Sequence, residues 1–412
     1  MPPPLLPSVA IRAGTTPAMS PAAPRAASPA RVVTLAGTHD PRSGRVPILA
    51  QGLAERGLTV RRIVEPSWGS TTERVELARR GLGNPRLLGR LVRAYARLGR
   101  RVAEAARHGV ILVGYPGQLD MVALRLLFPH ALLVLDAFVG LDETLADRRI
   151  GARNDATRRA ARLIDRLAFR FADLVVVDTA AHGRRFSVEC GLDPGRVVVA
   201  PVGARDPGTV PRAPASPPLR VLYFGGFVPL HGLDTILAAA RCIPRGAGVC
   251  FDLVGDGQEA DAVASSLAAD PVPNVRFTRT WLSEDDLIRE YISQAHVCLG
   301  IFGAGTKAMD VVPAKLYLAL ACGRTVATAE SPALREEVLA RSSATPPVLV
   351  CPPSDPPALA STLLRLRDDP NVREEVAAEG RRLYSAAFTP AAVVTPLVDA
   401  IEAACARRAR RG

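Results

Sequence analysis

Beginning near residue 31, short runs of aliphatic residues alternate with longer stretches whose apolar side chains recur at helical spacing. This alternation constrains the fold more than any other feature. A strand that is apolar throughout must be covered on both faces, and that is the condition of a parallel sheet assembled from βαβ units. Strands are expected at 31–36, 58–63, 109–113, 131–135, 172–177 and 197–201, then at 220–224, 250–254, 274–277, 295–301, 325–329 and 348–351. Between the two series, residues 204–218 (ARDPGTVPRAPASPP) carry no periodicity and are loaded with Pro and Gly, which stop helix and strand alike. The expected fold class is α/β, with two Rossmann-like doubly wound domains facing each other across a cleft. The expected divisions are a disordered leader at 1–30, a first domain at 31–203, a linker at 204–218, a second domain at 219–384, and a terminal helical segment at 385–412.

The 412 residues suffice for two such cores. The net charge of +12 raises the possibility of nucleic acid, but the arginines are scattered and few aromatic residues interleave with them, so no nucleic-acid partner is expected. Seven dispersed cysteines form no CxxC pair and no zinc spacing, which points to a reduced, cytoplasmic protein without a structural metal. No apolar run has the length of a membrane span. Within 73–107, an apolar stripe (Leu87, Leu88, Leu91, Tyr95, Leu98, Val102) and an arginine stripe (Arg86, Arg90, Arg93, Arg97, Arg100) share one helical period. Two readings stand: a core helix with a solvated basic back, or a surface that meets anionic lipid headgroups at the inner membrane face.

Ligands of open α/β sheets sit beyond the carboxyl ends of the strands, so site residues are sought in the loops there. Gly225-Gly226 follows one expected strand and leads past His231 to a helix, a place where backbone amides and a helix N-terminus can meet an anion. A glycine turn that merely packs helix on sheet reads the same way. Val254-Gly255-Asp256-Gly257 forms a second such turn. The most informative stretch runs from Gly300 through a Gly303/Gly305 loop to Pro313 and Gly323, and it holds Lys307 and Lys315, the only lysines in a chain that otherwise uses arginine. A retained lysine implies a site wanting a compact point charge on a flexible stem, such as a diphosphate at a helix N-terminus. Two ordinary surface lysines are the alternative.

These residues carry a resemblance. Gly225-Gly226 with His231-Gly232, Val254-Gly255-Asp256-Gly257, and Pro313-Ala-Lys315-Leu-Tyr-Leu-Ala-Leu-Ala-Cys-Gly323 are together similar to the donor domain of family-four (GT4) glycosyltransferases. Gly37-Thr-His-Asp-Pro, Gly114-Tyr-Pro-Gly-Gln and Leu135-Asp-Ala-Phe extend the likeness to one bacterial branch of that family. The resemblance implies a GT-B fold and retaining, metal-independent transfer from a nucleotide-sugar co-substrate, with no resident cofactor. Two family glutamates, one for sugar hydroxyls and one for ribose, fall here on Asp310 and Leu318, and the usual arginine and lysine of the first donor loop are replaced by Gly226 and His231.

The expected site follows. Lys307 and Lys315, with the Gly225 and Gly226 amides and His231, hold the leaving diphosphate; Asp310 and Glu336 are candidates to hold sugar hydroxyls, with Glu336 otherwise a helix start; Trp281 either borders the base or packs in the core; Gly303 shapes the loop. On the acceptor side, Gly37, His39, Asp40, Tyr115 and Asp136 sit just after expected strands, with His39 and Asp136 placed to orient an acceptor hydroxyl, although turn formation explains such residues equally well. The acceptor is either a lipid-linked glycan or a soluble natural product. Competing readings are a catalytically impaired nucleotide-sugar binding protein, suggested by Leu318, and a sugar-nucleotide epimerase on the same fold. A dinucleotide-dependent dehydrogenase lacks its GxGxxG after the first strand.

Overall fold

The structure, a computed structural model, describes residues 32–39, 45–65, 85–147, 155–215, 217–342 and 344–410. The expected leader and Asp40 lie outside the described residues. Among the described residues, twelve strands form two six-stranded sheets in which every pairing is parallel. The first comprises β1 (Val32–Gly37), β2 (Thr59–Val64), β3 (Val110–Val113), β4 (Leu132–Asp136), β5 (Leu174–Val177) and β6 (Val197–Val199), in the order β2-β1-β3-β4-β5-β6. The second comprises β7 (Leu219–Phe224), β8 (Val249–Val254), β9 (Val275–Thr278), β10 (Val297–Leu299), β11 (Thr325–Ala329) and β12 (Leu349–Cys351), in the order β12-β11-β10-β7-β8-β9. Each expected strand is present. The central ones, such as β3 and β5, are buried along their whole length, as the unbroken apolar runs demand.

Each sheet reverses its strand order once, between β1 and β3 in the first and between β7 and β10 in the second. At those points neighbouring loops leave in opposite directions and open a crevice at the carboxyl ends of the strands.

The two sheets belong to one folded body. The Pro370–Ala387 helix lies on the second sheet, and the chain then turns into Pro390–Val393 and Thr395–Ala409, which reach the first. Gly52 of the Val46–Glu55 helix comes so near Pro390 that a side chain there would begin 2.0 Å from the Pro390 carbonyl oxygen. Arg408 donates to the carbonyls of His130 and Ala131 and pairs with Asp173 at 3.1 Å. Among the described residues no single helix is long and apolar enough to cross a membrane. The helix Pro85–His108 accounts for part of the expected 73–107 segment: Ala94, Leu98 and Val102 are buried, while Val92, Arg93, Arg97 and Arg100 face outward.

Candidate active site

At the second crevice the sequence leaves the backbone little choice. Gly225 ends β7 at φ +111°, and Gly255 ends the adjacent β8 at φ +151° with its Cα packed on the Gly225 carbonyl; a β-carbon on Gly255 would begin 2.0 Å from that oxygen. Only glycine tolerates both the dihedral and the approach. The Gly225 N–H donates to the Val254 carbonyl at 3.0 Å, whereas the Gly226 N–H reaches no backbone carbonyl among the described residues. The expected pair of anion-binding amides therefore reduces to Gly226.

Lys315 enters this loop from the first turn of the Ala314–Ala321 helix. Its Nζ lies 3.7 Å over the Tyr223 ring and 3.4 Å from His231 Nδ1. His231 Nδ1 is in turn 2.7 Å from the Tyr223 hydroxyl and 2.5 Å from the Gly226 carbonyl oxygen. The lysine is buried, and among the described residues no carboxylate pairs with it. Burial accordingly drives its pKa well below the ordinary lysine value. A buried amine without a counter-ion is costly unless an anion arrives. Trp281 follows β9, is 66% exposed, and brings its ring to 3.8 Å from where a Gly226 side chain would start, forming a lip beside the loop. Gly303 packs on the Leu230 carbonyl, locking the β10 loop against the β7 loop. Leu318, one turn beyond Lys315, is buried in the core.

The other lysine does not share this cradle. Lys307 lies in the Thr306–Asp310 helix, and its Nζ is 3.8 Å from Asp147 of the first domain. Asp310 follows the same direction. Its Oδ2 accepts from Arg185 at 2.7 Å and its carbonyl accepts from the Thr179 hydroxyl. Glu336, expected at sugar hydroxyls, is half exposed and pairs with Arg184 at 2.6 Å. The neighbouring Glu337 is buried and accepts from Ala180 N–H at 3.0 Å, capping the first turn of the Ala180–Cys190 helix from the other domain.

Behind that turn stands a line of charges. His182 Nδ1 is 2.8 Å from Asp178 and its Nε2 is 2.9 Å from Glu143, whose other oxygen accepts from Arg185 at 2.8 Å. Burial opposes both charged forms, but the neighbouring carboxylates prevail and raise His182 to about 10, and the His182 charge in turn holds Glu143 at about 2. An imidazolium between two carboxylates results.

The first crevice, where the acceptor was expected, holds Gly37, His39, Gly114 and Tyr115. His39 is fully buried, with its ring wedged between Gly37 and Gly114, where a β-carbon would come within 2.6 Å of it on either side. Tyr115 stands edge-on to Phe138 at 5.4 Å. Asp136 does not face the cleft. It is wholly buried and bonded to Arg45 at 2.6 and 2.8 Å, while Arg45 also reaches the Val176 and Ala200 carbonyls; the carboxylate ties the ends of β4, β5 and β6 together. Asp120 instead gathers the Thr38 amide and hydroxyl at 2.6 and 2.7 Å and the Tyr95 hydroxyl at 2.9 Å.

Sequence reasoning missed Arg45, Glu143, Asp178, His182 and Arg185. The one local signal is in the Ala180–Cys190 helix: His182 and Arg185 lie three apart, on one face, just after the Thr179 cap.

The model of the family described as glycosyl transferases group 1 matches residues 218–369. No curated protein matches the chain. Among solved structures, sucrose-phosphate synthase from Thermosynechococcus elongatus is similar at a TM-score of 0.68 and 17% identity, over 91% of this chain and 99% of that one. HepE from Anabaena in complex with UDP and glucose is similar at 0.65 and 15%, over 90% and 99%. The lipopolysaccharide outer core galactosyltransferase WaaB follows at 0.58 and 11%, over 90% and 98%. These likenesses give the two-domain GT-B fold. With the cradle around Lys315 falling inside the matched segment, residues 218–369 are a group 1 glycosyl transferase domain within a chain of GT-B fold.

Proposed function

We propose that the protein moves a sugar from a nucleotide-sugar donor to a lipid-linked acceptor with retention of configuration. The observation that carries this reading is Lys315, a buried amine with no carboxylate partner among the described residues, aimed at a glycine loop beside a helix N-terminus. A diphosphate there would meet the ammonium, the Gly226 amide and the partial positive charge of the Ala314–Ala321 helix. The solved HepE structures contain UDP and UDP-glucose, which supports a donor of the same chemical class.

As the glycosidic bond opens, negative charge grows on the leaving diphosphate. Lys315 then stabilises the transition state more than the ground state, which is the condition for catalysis. Because these fixed positive groups already face the diphosphate, turnover is proposed to be independent of divalent metal. Retention is proposed to follow from attack on the face the diphosphate leaves, with a donor phosphate oxygen taking the acceptor proton. Trp281 borders the base, and the free oxygen of Asp310 meets a sugar hydroxyl. The acceptor enters over Gly37, His39 and Tyr115. The exposed Val92 among Arg93, Arg97 and Arg100 favours an acceptor presented at an anionic membrane, and hence a cytoplasmic protein peripheral to the inner face.

The test is donor hydrolysis by the pure protein across a panel of nucleotide sugars with EDTA present, the anomer of the released sugar being read by NMR. Slow turnover that gives the donor's own anomer first, and that Lys315→Ala abolishes, is expected. Tight nucleotide binding with no turnover of any donor would leave a binding protein in its place.

A further inference from the structure

We infer that Arg185, supplied by the first domain, is a positioning residue for Asp310 of the second, so that the sugar subsite is complete only when the two domains are closed. The inference rests on the proposed contact between Asp310 and the donor sugar.

Two parts of the donor site are built in different ways. The diphosphate cradle of Gly225, Gly226, His231 and Lys315 lies entirely within the second domain and is held by that domain's own bonds. Asp310 is held from the other side. Arg185 takes its Oδ2 at 2.7 Å, and Thr179, at the start of the same helix, takes its backbone carbonyl. Oδ1 has no hydrogen bond among the described residues, and the side chain keeps 17% of its surface exposed, which leaves one oxygen for a ligand.

Arg185 is itself fixed. Its second amino group donates to Glu143, which is held by His182, which is held by Asp178 at the end of β5. Along this line the side chains are between 0 and 17% exposed. Buried ion pairs of this kind add little net stability compared with apolar packing, but they define geometry sharply, because each planar group has one orientation that satisfies both neighbours. Desolvation makes the case in another way. By burial Asp310 drifts toward its protonated form and the Arg185 charge opposes that drift, keeping an acceptor available for a sugar O–H. Loss of Arg185 would therefore both free the carboxylate to rotate and favour its neutral state.

The experiment compares Arg185→Ala, Arg185→Lys, Asp310→Asn and the Arg185→Ala/Asp310→Asn double variant. Uridine diphosphate affinity is measured by calorimetry, and kcat and KM by hydrolysis of the donor turned over fastest in the panel. Arg185→Ala should leave diphosphate affinity within about twofold and lower kcat by about a hundredfold, the scale on which a misplaced group acts. Arg185→Lys, which keeps the charge but cannot bridge two carboxylates in one plane, should lie between. The double variant should be no worse than Asp310→Asn alone. Additive losses, or an equal loss of diphosphate affinity in Arg185→Ala, would overturn the inference while leaving the proposed function intact. Failure of the parent protein to turn over any donor would overturn both.

Discussion

At the scale of single residues, Lys315 makes the sharpest prediction. Burial lowers its pKa; a diphosphate beside it would raise it again, so binding takes up a proton. Diphosphate affinity should fall as pH rises between the free and bound values, with an enthalpy that depends on the ionisation heat of the buffer, and Lys315→Ala should abolish both effects. A pH-independent affinity in the parent would refute this. Gly255→Ala adds a second prediction. The new methyl group meets the Gly225 carbonyl at 2.0 Å on a backbone at φ +151°, so we expect a loss of roughly 1–3 kcal/mol in stability, read from urea unfolding, and a displaced Gly226 amide that weakens diphosphate binding. The sequence pointed to the lysines through composition, because arginine had replaced lysine everywhere else, and through the glycine loop that holds them both. It could not tell them apart. Lys307 and Lys315 are eight positions apart in the sequence but point to different domains, and only the path of the chain between β10 and the Ala314–Ala321 helix decides that.

At the scale of elements, the strands were legible because parallel strands covered on both faces must be apolar throughout, and their shortness and regular alternation with longer helical patterns set them apart from buried helices. The Ala180–Cys190 helix was not legible as a joint, since its partners Asp310, Glu336 and Glu337 come from more than a hundred residues away. Its bonds should differ widely in worth. The exposed Arg184–Glu336 pair should contribute no more than about 1 kcal/mol, whereas Glu337→Ala, which uncaps Ala180 N–H, should cost about 0.5–2 kcal/mol in urea unfolding. His182 gives a pH signature. Its pKa is raised to about 10 in the folded protein from an ordinary 6.5, so the stability it contributes is fully present below about 6.5 and is lost as pH rises through about 10. Urea midpoints from pH 6 to 10 should fall with a slope that His182→Gln flattens. An unchanged slope would show that the imidazole is not held charged.

At the scale of the whole molecule, two sheets, two crevices and one line of charges between them define a machine whose halves share work unequally. The cradle proposed for the diphosphate is local to one domain, and the contacts at Asp310, Glu336 and Glu337 span both, so screening should affect closure before it affects nucleotide binding. We expect the radius of gyration by small-angle scattering to rise on going from low to molar salt in the parent, and at lower salt in Arg185→Ala, with diphosphate affinity changing less than the scattering does. The crossing of the chain at Pro390 and Arg408 has a different consequence, one of timing. During synthesis, residues 32–199 leave the ribosome as a nearly complete sheet, yet the surface of the Val46–Glu55 helix and the carbonyls of His130 and Ala131 must wait for a segment made only after the entire second domain. The first half of the protein is thus born early and finished last, and in that interval it is the part most in need of a chaperone.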